Sequence, residues 1–526
     1  MKILITDPIS KEGIHHLEQQ PQFNVLYRTE LSLNELKKEI SDAAALIVRS
    51  KTQVTKEIIE STHRLRAIGR AGAGVDNVDL TAATRKGVVV MNTPEGNSTS
   101  AAEHTFALLL ALARKIPSAD ASLRKGQWSK QAFIGTELQN KILGIVGLGK
   151  IGVILAQRAQ SFQMKVVAYD PFVSEKYARA QGVELLTFEE LLARSDFISL
   201  HAPLNEKTQG LISRKTLKQM KKGALLINTA RGALIVEKDL SEALVNQTIG
   251  GVALDVFEKE PEISNQLLQS NAAVFTPHIA GSTIEAQSKV GYEIAIQIAD
   301  YLQHEIILNA VNFPSMTSQE SEQIQPYLRL GERLGLFISQ ISKIRLSEIG
   351  IRYYGDLTKV NYQPISNYIL KAILNPILSE EINQVNARNY AKERGISVIE
   401  TVSSRQRSYS NLISIQLRST EKTEWIEGAI LRQGKLRLVS VDGIPVETQL
   451  GNHILFIRNY DTPGVIGQVG TILGQAKINI ASFVLGRIEE KPHALGVVNT
   501  DAAIPETVLE QIRQIPAVRF SQLLDL

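Results

Sequence analysis

Ile142-Leu143-Gly144-Ile145-Val146-Gly147-Leu148-Gly149-Lys150-Ile151-Gly152 is the stretch on which the fold turns. A short apolar run enters a G-x-G-x-x-G turn, and apolar residues at helical spacing leave it over 151–162. Glycine-rich turns have many uses, but one set between a strand and a helix presents free N–H groups and a positive dipole end to phosphates. Gly147 permits the tight turn, Gly149 lets backbone approach a pyrophosphate, and Gly152 lets the helix pack close to the sheet; Lys150 and Ile151 open that helix. The next apolar run ends in Ala168-Tyr169-Asp170-Pro171, which places Asp170 about twenty residues beyond the glycines. A carboxylate there accepts hydrogen bonds from ribose hydroxyls and repels a 2′-phosphate, so the expected cofactor is NAD rather than NADP. The competing reading is that Asp170 merely starts a turn before Pro171.

Short apolar runs alternate with helical patterns on both sides of this unit. Upstream they fall at 3–5, 25–27, 44–48, 67–69 and 88–91; downstream at 166–169, 197–200, 224–227, 252–254 and 274–276. Such βα alternation predicts two doubly wound parallel sheets with an active site in the cleft between lobes. A helix over 101–114 joins the lobes, and one over 283–304 leads the chain back to the first. Beyond Asn312-Phe313-Pro314 a polar stretch, 315–325, reads as a linker. Residues 326–450 mix helical and strand-like runs, and a βαββαβ-like pattern fills the rest from Gly451.

The bulk numbers fit this division. A chain of 526 residues exceeds one core and suggests roughly three to five domains. A net charge of +4, with Lys and Arg dispersed, favours neither nucleic acid nor an anionic membrane as partner. The absence of cysteine excludes disulfides, Cys-ligated zinc, iron–sulfur clusters and thiolate nucleophiles; no metal is expected. With neither a secretion signal nor a bilayer-length apolar run, a soluble, cytoplasmic protein is expected.

Three strand-end segments carry charge where a parallel sheet holds its ligands: Asn228-Thr229-Ala230-Arg231-Gly232, Asp255-Val256-Phe257-Glu258-Lys259-Glu260-Pro261 and Thr276-Pro277-His278-Ile279-Ala280-Gly281-Ser282. Oxidising a 2-hydroxy acid requires a clamp for the carboxylate, a base for the hydroxyl proton and a hydride acceptor. Arginine supplies a planar fork that matches a carboxylate. Histidine titrates near neutrality, and a carboxylate on its other ring nitrogen fixes the tautomer. Each residue alone has a bland reading: surface ion-pair partner, solvated loop charge, core histidine. Their joint occurrence downstream of a nucleotide fold makes Arg231, Glu260 and His278 the expected catalytic residues.

These blocks resemble the signature segments of the D-isomer-specific 2-hydroxyacid dehydrogenase family over about residues 1–312. The resemblance implies that Thr229, Ala230, Arg231, Asp255, His278 and Gly281 adjoin the nicotinamide side of NAD, and Ala202 and Pro203 the adenosine. In that family the glutamate immediately precedes a proline, which selects Glu260 over Glu258. Val48-Arg49-Ser50, Gly69-Arg70-Ala71-Gly72-Ala73-Gly74-Val75-Asp76-Asn77-Val78-Asp79 and Asn92-Thr93-Pro94-Glu95-Gly96-Asn97 are similar to members that oxidise 3-phosphoglycerate. By that likeness Arg49, Ser50, Ala73, Gly74 and Asn97, with Arg231 and His278, face the substrate. Arg49 would neutralise a phosphate across the cleft from Arg231. Lys130, in Gly126-Gln127-Trp128-Ser129-Lys130, stands where many relatives carry arginine and binds phosphate only as a point charge. Asn459-Tyr460-Asp461-Thr462-Pro463-Gly464, with Ile478-Asn479-Ile480, resembles an ACT domain, which implies an effector site at Asn459, Asp461 and Asn479, with L-serine as ligand.

The expected architecture is therefore α/β. It comprises a flavodoxin-like substrate lobe (1–97 with 286–312), a Rossmann NAD lobe (98–285), a mixed α+β intervening domain resembling an allosteric substrate-binding domain (316–450), and a ferredoxin-like ACT domain (452–526). A homodimer or homotetramer is expected. The alternatives are a sibling enzyme acting on glycerate, hydroxypyruvate, lactate or 2-oxoglutarate, and a non-catalytic NAD-sensing scaffold.

Overall fold

The computed structural model describes the chain except residues 264, 315, 317, 379–380, 406, 432–433 and 489–491. The first sheet contains β1 (Lys2–Ile5), β2 (Asn24–Tyr27), β3 (Ala45–Val48), β4 (Ala67–Arg70) and β5 (Val89–Asn92), all parallel, in the order β2-β1-β3-β4-β5. That is the flavodoxin-like order. The second sheet contains β6 (Ile142–Val146), β7 (Lys165–Tyr169), β8 (Glu184–Leu185), β9 (Phe197–Leu200), β10 (Leu225–Asn228), β11 (Gly251–Leu254) and β12 (Ala273–Phe275). Its order, β12-β11-β10-β9-β6-β7-β8, reverses between β6 and β9, which makes the end of β6 the topological switch point.

Register explains why one edge of this sheet carries the chemistry. Val146 pairs with Tyr169 and Leu200, Asn228 with Leu200 and Leu254, and Leu254 with Phe275. The strands thus end level, and the next residues — Gly147, Asp170, His201, Thr229, Asp255 and Thr276 — leave one carboxyl edge. Helix Ser98–Ala113 crosses from the first lobe, and helix Ile284–His304 returns to pack on β4 and β5.

The expected linker over 315–325 is a helix from residue 318 onward, part of Ser318–Ile341 with Pro326 inside it; residues 315 and 317 lie outside the described set. Ser321, Ile324 and Leu328 form its buried stripe. A serine on that stripe hides the apolar period. The third sheet contains β13 (Glu348–Gly355), β14 (Ser397–Ser403), β15 (Asn411–Arg418), β16 (Thr423–Ile430), β17 (Leu436–Val441) and β18 (Ile444–Gln449), in the order β14-β13-β15-β16-β17-β18. Only the β13–β14 pair is parallel. The last sheet, β19 (His453–Tyr460), β20 (Ile480–Arg487), β21 (His493–Thr500) and β22 (Val518–Asp525), is antiparallel in the order β20-β21-β19-β22 and carries helices Val465–Gln475 and Glu506–Arg513. The chain is an α/β protein with a mixed third sheet and a ferredoxin-like final unit.

One apolar cluster runs without a break from Ile3 and Ile5 through Ile294 and Ile298, Leu334 and Phe337, and Ile413 to Phe456 and Leu524. It joins the first lobe, the mixed domain and the final sheet. The second sheet has clusters of its own on each face.

Candidate active site

The glycine turn meets the steric demands of its fold. Gly147 has φ +97°, and a Cβ there would stand 2.8 Å from the His201 carbonyl. A Cβ on Gly152 would stand 2.4 Å from the Gly147 carbonyl oxygen, so helix Lys150–Ser161 can press against the turn only through glycine. Gly149, at the N-cap of that helix, is different: a Cβ there meets nothing within 4 Å. Its missing side chain leaves an open cradle at the helix N-terminus, which suits a pyrophosphate. Asp170 accepts the Leu148 N–H through Oδ2 and the Phe172 N–H through Oδ1, each at 2.9 Å. It therefore starts a turn and ties down the glycine loop together, with lone pairs left over for a further donor. His201 is held neutral, burial pushing its imidazole down to about 4, with Nε2 2.8 Å from Ser199 Oγ. Ala202 and Pro203 follow it on the loop with increasing exposure.

The catalytic loops are shaped by two buried polar residues. Asn228 donates through Nδ2 to the Arg231 carbonyl (2.9 Å) and accepts the Ala230 N–H through Oδ1 (3.0 Å), closing the loop that presents Arg231. A Cβ on Gly232 would overlap the Phe257 carbonyl carbon, at 1.9 Å, so this loop lies directly against the one that carries Glu260. Thr105 donates to the Ala101 carbonyl, so Thr229 donates its hydroxyl to Thr105, 2.6 Å away.

Asp255 has no accessible surface. Oδ1 accepts the Thr276 hydroxyl (2.6 Å) and the Ile279 N–H (2.9 Å), and Oδ2 accepts the Ala280 N–H (2.9 Å). Burial pushes this carboxyl up, but the hydrogen bonds from His104, Thr276, Ile279 and Ala280 outweigh it and hold it below the usual range. Since Thr276 gives its only hydroxyl proton to Asp255, the 3.0 Å contact to His104 requires His104 to carry its proton on Nε2. Asp255 was expected beside the nicotinamide. Its side chain is enclosed here and builds the loop that carries His278.

His278 has a left-handed φ of +54°, fixed by its N–H on the Asp255 and Thr276 carbonyls. Its Nδ1 lies 2.7 Å from Glu260 Oε2, while Glu260 Oε1 accepts the Phe257 N–H at 3.0 Å. The hydrogen bond that it donates to Glu260 raises the imidazole above its ordinary value against the opposing effects of burial and Arg231. Burial pushes Glu260 up, yet His278 and the Phe257 N–H leave it below the usual carboxylate range. Among the described residues no hydrogen bond engages His278 Nε2.

Across the cleft, Arg231 Nη2 lies 3.1 Å from Asp76 Oδ2 and Nη1 donates to the Ala230 carbonyl at 2.7 Å. Gly74 gives it room, since a Cβ there would stand 2.3 Å from Nη2. Asn97, at the start of helix Ser98–Ala113, abuts Gly281, whose Cβ would stand 2.7 Å from the amide nitrogen. Lys150 pairs with Glu95 between the lobes. Arg49 donates its backbone N–H to buried Asp7 (2.6 Å), which also accepts the Thr52 N–H and hydroxyl; Ser50 is exposed beside it. Lys130 stands on an exposed segment, and no hydrogen bond brings it to the cleft among the described residues.

The expected effector residues do not meet within one chain. Asp461 follows Tyr460, which pairs with His493 at the start of β21, whereas Asn479 precedes Ile480, which pairs with Thr500 at its end. A strand of that length spans about 25 Å. Asn479 donates to Asp501, Arg487 lies 3.8 Å from Asp461, and Asn459 is buried with Oδ1 unpartnered.

Asn228, His104, Thr276, Asp7 and Asp76 carry structural weight that sequence reasoning assigned to none of them. A signal existed for two: Asn228 closes an apolar run, and His104 interrupts an apolar helix.

Residues 106–280 match the D-isomer specific 2-hydroxyacid dehydrogenase NAD-binding domain, 323–442 the D-3-phosphoglycerate dehydrogenase intervening domain, and 453–517 the ACT domain. The chain is 42% identical to a D-3-phosphoglycerate dehydrogenase of Methanocaldococcus jannaschii, across 99% of its own length and 98% of the relative's. It is 37% identical to the Bacillus subtilis protein of the same name, across 100% and 99%. Among solved structures, an Aquifex aeolicus D-lactate dehydrogenase complexed with NAD and lactic acid superposes with a TM-score of 0.53 at 27% identity, covering 60% of this chain and all of that one.

Proposed function

The chain belongs to the D-3-phosphoglycerate dehydrogenase family, and from that premise we propose that its cleft oxidises C2 of 3-phosphoglycerate to 3-phosphohydroxypyruvate, the committed step towards L-serine. It is an NAD-dependent oxidoreductase. The observation that carries the reading is the His278–Glu260 pair, facing Arg231 at the carboxyl edge of a nucleotide-binding sheet.

Bound NAD⁺ would supply the acceptor for the hydride that leaves C2. His278 Nε2 takes the hydroxyl proton while Nδ1–H stays on Glu260, which stabilises the imidazolium as it forms. Arg231 exchanges Asp76 for the substrate carboxylate. Gly149 and the helix behind it cradle the pyrophosphate, Asp170 meets the ribose, and Thr229, Ala230 and Gly281 border the nicotinamide. Arg49, with Ser50, Asn97 and the Ala73-Gly74 backbone, holds the phosphate end.

A second copy of the chain completes the molecule. Helix Ile116–Arg124 has no buried residue, and Trp128 and Ile134 behind it are 84% and 74% exposed. An apolar surface of this kind marks an interface, and burying it between copies would carry Lys130 towards a neighbouring cleft. An L-serine site would likewise take Asp461 from one copy and Asn479 from the other. Among the described residues no helix is long and apolar enough to cross a membrane, and a cysteine-free enzyme of this kind suits the cytoplasm.

The test is NADH absorbance with 3-phosphoglycerate against D-glycerate and D-lactate, repeated with L-serine. Preference for an unphosphorylated acid removes the substrate assignment, and indifference to L-serine removes the effector.

A further inference from the structure

The helix that carries the chain from the first lobe to the nucleotide lobe, Ser98–Ala113, is largely apolar, yet one stripe of it is polar. Asn97, Ser100 and His104 recur at helical spacing with Thr105 beside them, and each meets a loop at the carboxyl edge of the second sheet. Asn97 abuts Gly281, Ser100 Oγ lies 2.8 Å from Thr283 Oγ1, and Thr105 holds Thr229 in the Arg231 loop. His104 is the member of the stripe that reaches the His278 loop: its Nε2 stands 3.0 Å from Thr276 Oγ1 and 3.4 Å from Asp255 Oδ1. These two partners are the residues whose backbone carbonyls receive the His278 N–H and hold its left-handed φ. Burial pushes the Asp255 carboxyl up, and among the hydrogen bonds that outweigh it the one from His104 contributes most. An apolar side chain would fill the same space. Only a donor serves a carboxylate that has no solvent to turn to.

We propose that His104 is a positioning residue for proton transfer: from the interlobe helix it fixes Thr276 and Asp255, and through their carbonyls the orientation of His278. The base is thus set from the helix that enters from the substrate lobe. The inference deepens the reading of His278 as the base and rests on it.

His104→Leu, His104→Gln and His104→Asn are compared with the unaltered enzyme for kcat and KM on 3-phosphoglycerate and D-glycerate, NADH affinity by fluorescence, and hydrogen exchange of the Ile279 and Ala280 amides. The glutamine amide nitrogen reaches as far from the backbone as the imidazole Nε2, and the asparagine amide is shorter by a methylene. A displaced base is expected to lower kcat about 10- to 100-fold in His104→Leu, alike on both acids, with KM and NADH affinity within about threefold. The two amides should exchange about tenfold faster. His104→Gln should bring kcat back to within about fivefold of the unaltered enzyme. His104→Asn should lose as much as His104→Leu, and stands in if the leucine variant does not fold. Unchanged kcat in His104→Leu, a loss confined to KM, or a glutamine variant no better than the asparagine one overturns the proposal. If His278→Ala keeps full turnover, the reading of His278 as the base falls by itself; amide exchange then decides, and equal exchange in variant and unaltered enzyme overturns the role of His104.

Discussion

On the nucleotide-lobe wall of the cleft, Asn228, Asp255 and Glu260 each have both side-chain heteroatoms tied to protein hydrogen bonds. On the opposing wall, Arg70 has an unpartnered Nε, and the Asp76 carboxylate rests on Arg231. The first wall is preorganised: its polar groups are satisfied before any substrate arrives, so His278 keeps one orientation. The second carries positive charge that the protein answers only in part, through Asp76 beside Arg231. Chemistry favours fixed dipoles, because reorganisation at the moment of reaction raises the barrier. Recognition favours unmet charge, because the protein gains most when the right anion arrives.

The largest effect should come from removing the one mobile proton on the ordered wall. His278→Ala is expected to lower turnover by roughly 10²- to 10⁴-fold with NADH affinity retained. If turnover survives, proton transfer belongs elsewhere. Asp255→Ala probes whether order itself matters. It strands the Ile279 and Ala280 N–H groups, so denaturant melts should register about 3 kcal/mol less stability, and turnover should fall roughly 100-fold as His278 loses its frame. A variant stable as the parent would mean the loop is held by its backbone alone.

Glu260→Gln tests the coupling of the pair. Oxidation needs neutral His278, so its rate rises with pH through the histidine's pKa, which Glu260 raises; the variant's limb should move to lower pH, with roughly tenfold slower turnover. The linkage signs agree. The raised His278 contributes stability that is present below its unfolded pKa and lost as pH rises through its folded one. The lowered Glu260 contributes stability that is present above its unfolded pKa and lost as pH falls through its folded one. An unmoved limb would detach Glu260 from His278. The smallest effect belongs to the opposing wall: Asp76→Asn frees Arg231 from an exposed ion pair, which should lower KM for 3-phosphoglycerate up to about fivefold. A higher KM would make Asp76 an orienting partner rather than a placeholder.

The parts legible in sequence were those with a period or a motif. Strand runs beside the glycine turn disclosed both parallel sheets, and three charged strand ends pointed to Arg231, Glu260 and His278, which the fold brings near one another. What stayed hidden depends on register and burial. Family likeness placed Asp255 by the nicotinamide, and only the packed loop reveals that Ile279, Ala280 and Thr276 also bond to it. His104 becomes relevant only when helix Ser98–Ala113 is laid across β12. The sequence reads as helix from Tyr327, but the first turns of Ser318–Ile341 were hidden by Ser321 on its buried stripe and by Pro326, which breaks the usual expectation of a helix interior.

The apolar cluster that reaches from Ile3 to Leu524 gives the chain a thermodynamic anatomy unlike its functional one. This cluster ties the first lobe, the mixed domain and the final sheet together, beside a separate cluster on the other face of the first lobe and one in the final unit. The three should therefore melt cooperatively, with the nucleotide lobe as the other unit. NAD would then raise the midpoint of its own lobe most directly, while an amino acid captured at the far end of the chain would stiffen the very sheet that holds Arg49 and Arg70.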